Sequence, residues 1–181
     1  MTDRAPPSQA NTMQETFRVF FEEHFDYVYR SLRRLGVQER DLEDVTHDVF
    51  LEVHAAWSRF DRTRPPKPWL FAFAFRFASD YRRLARHRNV PTADMDLVND
   101  RPDLAADAAL VDAANRTLVS QALDAIDLDR RAIVVLHDID EVPVTEIATA
   151  LGIPVNTAYS RLRLGREDFA GAVKRLRARE R

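Results

Sequence analysis

The chain has 181 residues, 31% of them charged and 45% hydrophobic, with a formal net charge of −2 and no cysteine. That length allows one domain or two small ones, and the absence of cysteine excludes disulfides, thiolate metal sites and cysteine nucleophiles. No apolar run is long enough to span a bilayer, and residues 1–14 lack the apolar stretch of a signal peptide, so a cytoplasmic protein without membrane insertion is expected.

Residues 1–12 are polar with paired prolines, the composition of a disordered terminus. From Met13 the pattern is helical: Phe17, Phe20, Phe21, His24, Phe25, Val28, Leu32 and Leu35 recur at steps of three and four, and Gly36 closes the run. Asp41 is the expected N-cap of a second helix, with Asp44 where a carboxylate favours the helix dipole. The inward face of that helix is Leu42, Val45, Val49, Val53 and Trp57. An arginine- and proline-rich loop, Ser58 to Lys67, leads to a third helix from about Pro68 to His87. An acidic, proline-punctuated stretch follows and turns helical near Leu104. One helix then carries Leu118, Ala122 and Ile126, and another Ala132, Ile133, Val135, Leu136 and Ile139. No strand-like alternation of useful length and no internal repeat is present. The expected fold is all-α: two small helical domains, 13–90 and 115–178, joined by a flexible acidic linker, 91–114. Each is small for a self-sufficient core, so both should be firmer when docked on a partner.

The segment Val144 to Arg166 has the pattern of a helix-turn-helix. Ile147, Ala148 and Leu151 form an apolar face, Gly152 ends the first helix, and Pro154 precedes the second. Val155, Ala158, Leu162, Gly165 and Phe169 fall on one side of that second helix, and Asn156, Thr157, Ser160, Arg161 and Arg163 on the other. An outer face of amides, hydroxyls and arginines, with almost no acid before Glu167, fits the DNA major groove better than a merely solvated surface, which mixes both signs. A solvated helical hairpin is the alternative.

Charge is segregated. Arginines cluster at Arg82, Arg83, Arg86 and Arg88 and again toward the C-terminus, with an acidic stretch between them. With a net charge near zero, the whole chain should hold free DNA weakly, and a partner is needed to present it. The third helix, PWLFAFAFRFASDYRRLARHR, carries two aromatic stripes, Trp69, Phe73 and Phe77 in one and Phe71 and Phe75 in the other. The first is expected as core. Phe71, Phe75 and Tyr81, beside arginines, are candidates for stacking on single-stranded bases, with a core position the competing reading. No catalytic constellation, phosphate loop or metal set is recognised. His47 and His54 share a helix face, but a metal site needs a closer pair or a third ligand. No cofactor and no enzymatic activity is expected.

Three segments in this order carry a resemblance. DLEDVTHDVFLEVHAAW (Asp41 to Trp57), the aromatic third helix with Trp69, Leu70, Asp80 and Arg82, and the C-terminal stretch with Arg131, Glu146, Ile147, Ala148, Leu151, Gly152, Thr157, Ser160, Arg161 and Leu162 together resemble the extracytoplasmic-function (ECF) sigma factors of bacterial RNA polymerase. The resemblance covers nearly all of the chain after residue 13. It implies core RNA polymerase and promoter DNA, duplex and melted, as partners, and it permits an anti-sigma protein. Asp41, Glu43, Asp44, Asp48 and Val49 would then lie on the polymerase-binding helix. Arg59, Arg62, Arg64 and Lys67 would capture a flipped base of the downstream promoter element. Trp69, Phe71, Phe75, Arg76, Asp80, Arg82 and Arg83 would line the melted strand. Asn156, Thr157, Tyr159, Ser160, Arg161, Arg163 and Arg166 would read the upstream element.

The chain departs from the family pattern at four places. Phe75 and Arg76 stand where relatives often carry arginine and asparagine, and Asp127 and Leu128 replace a proline pair. Pro143 replaces a common serine, removing a side-chain cap worth about 1 kcal/mol. Asn156 stands where glycine is frequent and adds a side chain able to reach a base. A stand-alone helix-turn-helix regulator is the alternative function. It would bind duplex tightly without polymerase.

Overall fold

The computed structural model describes residues 9–87 and 106–179, and among these every regular element is helical. They run α1 (Gln9–Arg34), α2 (Glu39–Ala56), a 3-10 turn (Trp57–Arg59), α3 (Pro66–His87), α4 (Ala106–Asp124), α5 (Leu128–Val134), a π-helical turn (Val135–Ile139), α6 (Val144–Leu151) and α7 (Val155–Arg179). The expected linker lies outside the described residues as far as 105, and its remainder is the start of α4. Residues 9–12, expected to be disordered, already belong to α1.

The boundaries follow local chemistry. Gly36 and Gly152 both adopt positive φ, +91° and +65°, a conformation that costs glycine nothing. After each, the next amide reaches back to close the helix end: Val37 N–H donates to the Leu32 carbonyl at 3.1 Å, and Ile153 N–H to Ala148 at 3.0 Å. Helix α2 starts before the expected cap. Its N-cap is Gln38, so Asp41 falls in the first turn. Asp127 caps α5, its carboxylate accepting from the Asp129 N–H at 3.1 Å, whereas Pro143 precedes α6 with no side-chain cap.

The N-terminal module packs α1, α2 and α3 around Val28, Leu32, Leu42, Val49, Val53, Leu70 and Phe71, each fully buried. The C-terminal module packs α4 to α7 around Ile126, Ile133, Leu136, Ile147 and Ala158. Burial of each such side chain contributes about 1.5–3 kcal/mol. The two sets form one continuous buried cluster. The partner that firms each small module is thus, in the free chain, the other module.

Arg131 of α5 sits at this junction, its side chain 1% exposed. It donates to Asp124 at 2.7 Å, to the Ile126 carbonyl at 3.2 Å and to the Arg34 carbonyl of α1 at 3.5 Å. Burial lowers the Arg131 pKa and raises that of Asp124, against their mutual attraction. The pair therefore fixes geometry more than it adds stability.

Candidate functional site

Because one face of α2 is core, its acids point outward. Glu43, Asp44 and Asp48 are exposed, with His47 and Glu52 beside them. Leu51 stands among these groups, 69% exposed. Leu51 falls outside the inward stripe of Leu42, Val49 and Val53, the signal in the sequence that marks it as exposed. An apolar centre with a charged rim is the composition of a docking patch. Val49 is corrected: it is fully buried on the inward stripe and belongs to the core. Asp41 is turned toward α3, where it accepts the Tyr81 hydroxyl at 2.5 Å. Partial burial and this carboxylate push the Tyr81 pKa up to about 12.

The histidines of α2 are occupied by rings. His54 meets Phe17 edge-on at 4.6 Å, and His47 lies 5.6 Å from Phe25. Among the described residues no group of three or more His, Cys, Asp or Glu side chains is placed to hold a metal.

A second surface is built by the 3-10 turn, the loop after it and α3. Asp61 shapes the loop by accepting both the Thr63 N–H, at 3.0 Å, and its hydroxyl, at 2.6 Å. Behind it Phe60 stacks on Trp69 at 4.4 Å and on Trp57 at 5.6 Å. Arg59, Arg62, Arg64 and Lys67 are exposed on and beside this loop, Arg64 lying 3.5 Å from Asp61. The Arg62 guanidinium lies 5.3 Å above Trp57 and the Lys67 ammonium 5.7 Å above Tyr27. Cations beside rings can meet a phosphate and a base face together.

On α3 the two aromatic stripes exchange roles. Leu70, Phe71, Ala74 and Ala78 are the fully buried stripe. Phe71 is thereby corrected from a strand contact to a core residue. Trp69, Phe73 and Phe77, expected as core, are only half-buried, and Leu84 beyond them is 53% exposed. The reason is volume. Two stripes of similar hydrophobicity compete, and the one with Ala74 and Ala78 lets α1 and α2 approach closely. The Arg76 guanidinium covers the outer stripe, 5.2 Å from Phe73 and 5.8 Å from Phe77. Phe75 and Arg82 are half-buried, while Asp80 and Arg83 are exposed and paired at 3.1 Å.

The third surface is the outer face of α7. Ala158, Leu162 and Gly165 are buried against α5. A Cβ on Gly165 would come within 2.7 Å of Val134, so the glycine sets how closely α5 and α7 pack. Asn156, Tyr159, Ser160, Arg163 and Arg166 are exposed, and Thr157 is half-buried. Arg161 leans inward, 2.6 Å from Asp129 of α5. Arg166 grips both carboxylate oxygens of Asp138, and Arg163 meets Glu167 at 2.7 Å. The outer face, nearly free of acid in its own sequence, is therefore supplied with carboxylates by α5 and the π-helical turn, which linear spacing does not display.

Comparison with known proteins covers both modules. Residues 20–88 match the family model Sigma-70 region 2, and residues 116–169 match Sigma-70, region 4. Over 149 residues the chain is 30% identical to the ECF RNA polymerase sigma factor SigL of Mycobacterium tuberculosis, covering 80% of this chain and 81% of that one. It is 28% identical to SigX of Bacillus subtilis over 143 residues, 77% of this chain and 74% of the relative. Among solved structures it resembles CnrH in complex with the cytosolic domain of CnrY, with a TM-score of 0.62 at 25% identity over 89% of each chain. It also shares the fold of the sigma factor RpoE of Bartonella quintana, solved with the anti-sigma factor NepR, with a TM-score of 0.66 at 19% identity over 88% of this chain and 98% of that one.

Proposed function

The chain belongs to the ECF RNA polymerase sigma factors, which direct core polymerase to promoters, and from that premise we propose how its three surfaces divide the work. Residues 13–90 dock on polymerase and open the downstream element, and residues 115–178 read the upstream element. Asp44 and Asp48, with Glu43 and Leu51, form the polymerase contact on α2. Asp41 serves it indirectly by fixing α2 to α3. Arg59, Arg62, Arg64 and Lys67, beside the half-buried Phe60–Trp69 stack, take a base flipped from the melting duplex. Trp69, Phe75, Arg76, Asp80, Arg82 and Arg83, with Phe73 and Phe77 added, line the displaced strand. Asn156, Tyr159, Ser160 and Arg163 meet base edges, while Thr157, Arg161 and Arg166 hold the helix to the duplex backbone.

The observation that supports this reading is the half-buried Phe60–Trp69 stack beside the exposed cations of the loop. A stand-alone regulator, which reads only duplex, has no use for a stacking floor, and the relatives are polymerase subunits. Chemistry is left to the polymerase. The chain acts in the cytoplasm, where its partners are, and among the described residues no helix is long and apolar enough to cross a membrane. An anti-sigma protein is a proposed further partner, since both solved neighbours carry a bound regulator or partner chain.

The test is reconstitution. Purified chain with a cognate core polymerase should start transcripts at a subset of a promoter library and leave melted thymines reactive to permanganate. Transcription without promoter selection would remove the reading of α7, and selection without permanganate reactivity would remove the reading of the loop.

A further inference from the structure

Helix α7 outruns the motif that it completes. The match to region 4 ends at residue 169, yet α7 continues unbroken to Arg179. Residues 170–179 read AGAVKRLRAR and have two faces. Ala172 is 2% exposed, and Val173 and Leu176 are half-buried, so the last turns are held against the module. Lys174, Arg175, Arg177 and Arg179 are all exposed.

These cations differ from those earlier on the helix. Arg161, Arg163 and Arg166 each face a carboxylate. The two acids of α7 are themselves taken, Glu167 by Arg163 and Asp168 by Arg130. Among the described residues, Lys174, Arg175, Arg177 and Arg179 make no ion pair. A surface that is only solvated mixes both signs, whereas this one carries a single sign over about two turns.

The register links the patch to the recognition face. An α-helix returns to the same side after eighteen residues, about five turns. Lys174, Arg175, Arg177 and Arg179 lie eighteen positions after Asn156, Thr157, Tyr159 and Arg161. The cations therefore continue the face assigned to the upstream element, about 27 Å further along the axis. The major groove is only about 12 Å wide. A helix whose first turns touch base edges has left the groove at that distance, and there a duplex offers phosphate rather than bases. Lysine and arginine without a carboxylate partner are the side chains suited to it.

We propose that the last two turns of α7 form a second DNA contact, a sequence-independent clamp on the phosphate backbone beside the upstream element. The proposal rests on the reading of α7 as the promoter-recognition helix. One helix is thereby divided: its N-terminal turns choose the site and its C-terminal turns hold it. The clamp also gives a chain of net charge −2 a concentrated positive field where duplex arrives.

The test uses holoenzyme assembled from the full chain and a cognate core polymerase. Its affinity for promoter fragments is measured across about 50–200 mM salt. Lys174→Gln, Arg175→Gln, Arg177→Gln and Arg179→Gln together remove the charge and keep helix propensity, which an unchanged helical spectrum and urea midpoint verify. This variant should bind at least tenfold more weakly at the lower salt. Its slope of log affinity against log salt should be shallower by about two to four. Preference for a matched upstream element over a mismatched one should stay as in the parent. Phosphates beside that element whose ethylation blocks the parent complex should no longer matter. Arg175→Lys, Arg177→Lys and Arg179→Lys together should keep the parent's slope, since a phosphate clamp needs charge and not a planar fork.

An unchanged slope in the glutamine variant would overturn the clamp. So would a loss already present in binding to core polymerase without DNA, which would put an acidic protein surface against the patch instead. A shallower slope in the lysine variant would overturn its sequence independence. A parent holoenzyme without promoter preference would strike the reading of α7 as a recognition helix, while the slope comparison would still decide the clamp, so the two failures are distinguishable.

Discussion

Both modules pair arginines with carboxylates, but among the described residues cations stacked over rings are found in the first. In the N-terminal module several cations lie over rings, Arg62 on Trp57, Lys67 on Tyr27, Arg76 on Phe73 and Phe77, although Arg76 also pairs with Glu52, Arg64 with Asp61 and Arg83 with Asp80. In the C-terminal module they lie against carboxylates: Arg130 on Asp168, Arg131 on Asp124, Arg161 on Asp129, Arg166 on Asp138. A ring attracts a cation without cancelling its charge, which stays able to meet a phosphate. A carboxylate neutralises the guanidinium and fixes its plane. The first arrangement suits a flexible strand of unstacked bases, the second the fixed edges of a duplex. The cores divide similarly. Rings from Phe17 to Phe73 pack on one another in the first module, while Ile126, Ile133, Leu136 and Ile147 fill the second.

The largest test asks whether these unlike cores are one cooperative unit. Phe71 is fully buried, and Phe71→Ala should cost about 3–5 kcal/mol. Both tryptophans lie in the first module, so their fluorescence reports that module and circular dichroism reports both. The two signals should fall together in urea. Separate transitions would show that the continuous cluster does not couple the modules. Next is the close packing of α5 on α7. Gly165→Ala gains helix propensity of about 1 kcal/mol, yet the new methyl would meet Val134 at 2.7 Å and the Arg130 carbonyl at 3.2 Å. A net loss of about 1–3 kcal/mol is expected in the same urea titration.

The contrast between rings and carboxylates sharpens at the level of binding. Asn156→Ala should weaken the upstream element by about 1–3 kcal/mol and relax discrimination at one base. Arg161→Ala, whose guanidinium leans on Asp129, should weaken all promoters alike, which competition between promoter variants would reveal. A smaller effect is expected on α2. Asp44→Arg with Asp48→Arg should reduce polymerase affinity roughly tenfold, about 1.4 kcal/mol, with the helical spectrum unchanged. Normal affinity in a pull-down titration would remove the docking assignment.

The helices, the glycine turns and the helix-turn-helix were legible in the sequence because they rest on local rules: periodicity of apolar residues, left-handed glycine, a short polar turn. The faces of α3 were not. With rings at every second position, period alone offers two stripes of equal merit, and the choice fell to Ala74 and Ala78, whose small size matters only when α1 and α2 arrive. Val49 was assigned to the polymerase surface by resemblance although its own spacing put it inside. Asp129 and Asp138 escaped for a third reason. They stand about thirty residues before the arginines they bind, and only folding brings them there. The junction of the modules, with Tyr27 and Asp140 113 positions apart, is of the same kind.

The smallest effect separates a tie within one module from a tie between the two. Tyr81 donates to Asp41 inside the first module, and its pKa is pushed up to about 12 by partial burial and that carboxylate, against about 10 in an unfolded chain. The folded protein thus keeps a proton that the unfolded chain gives up first. Stability from this contact is complete below about pH 10 and declines as pH rises toward 12. Tyr81→Phe removes that titration, so its urea midpoint should fall less steeply than the parent's across this interval. The ring is largely solvent-screened, which keeps the difference small. Tyr27 is raised in the same direction, by deeper burial first and then by Asp140, so Tyr27→Phe should flatten the same limb. Because burial is its first cause, the effect should shrink but persist when Asp140→Asn removes the carboxylate charge. The Tyr81 effect should survive in both. Parallel alkaline slopes for the parent and Tyr81→Phe would mean that Asp41 is free to serve the polymerase directly.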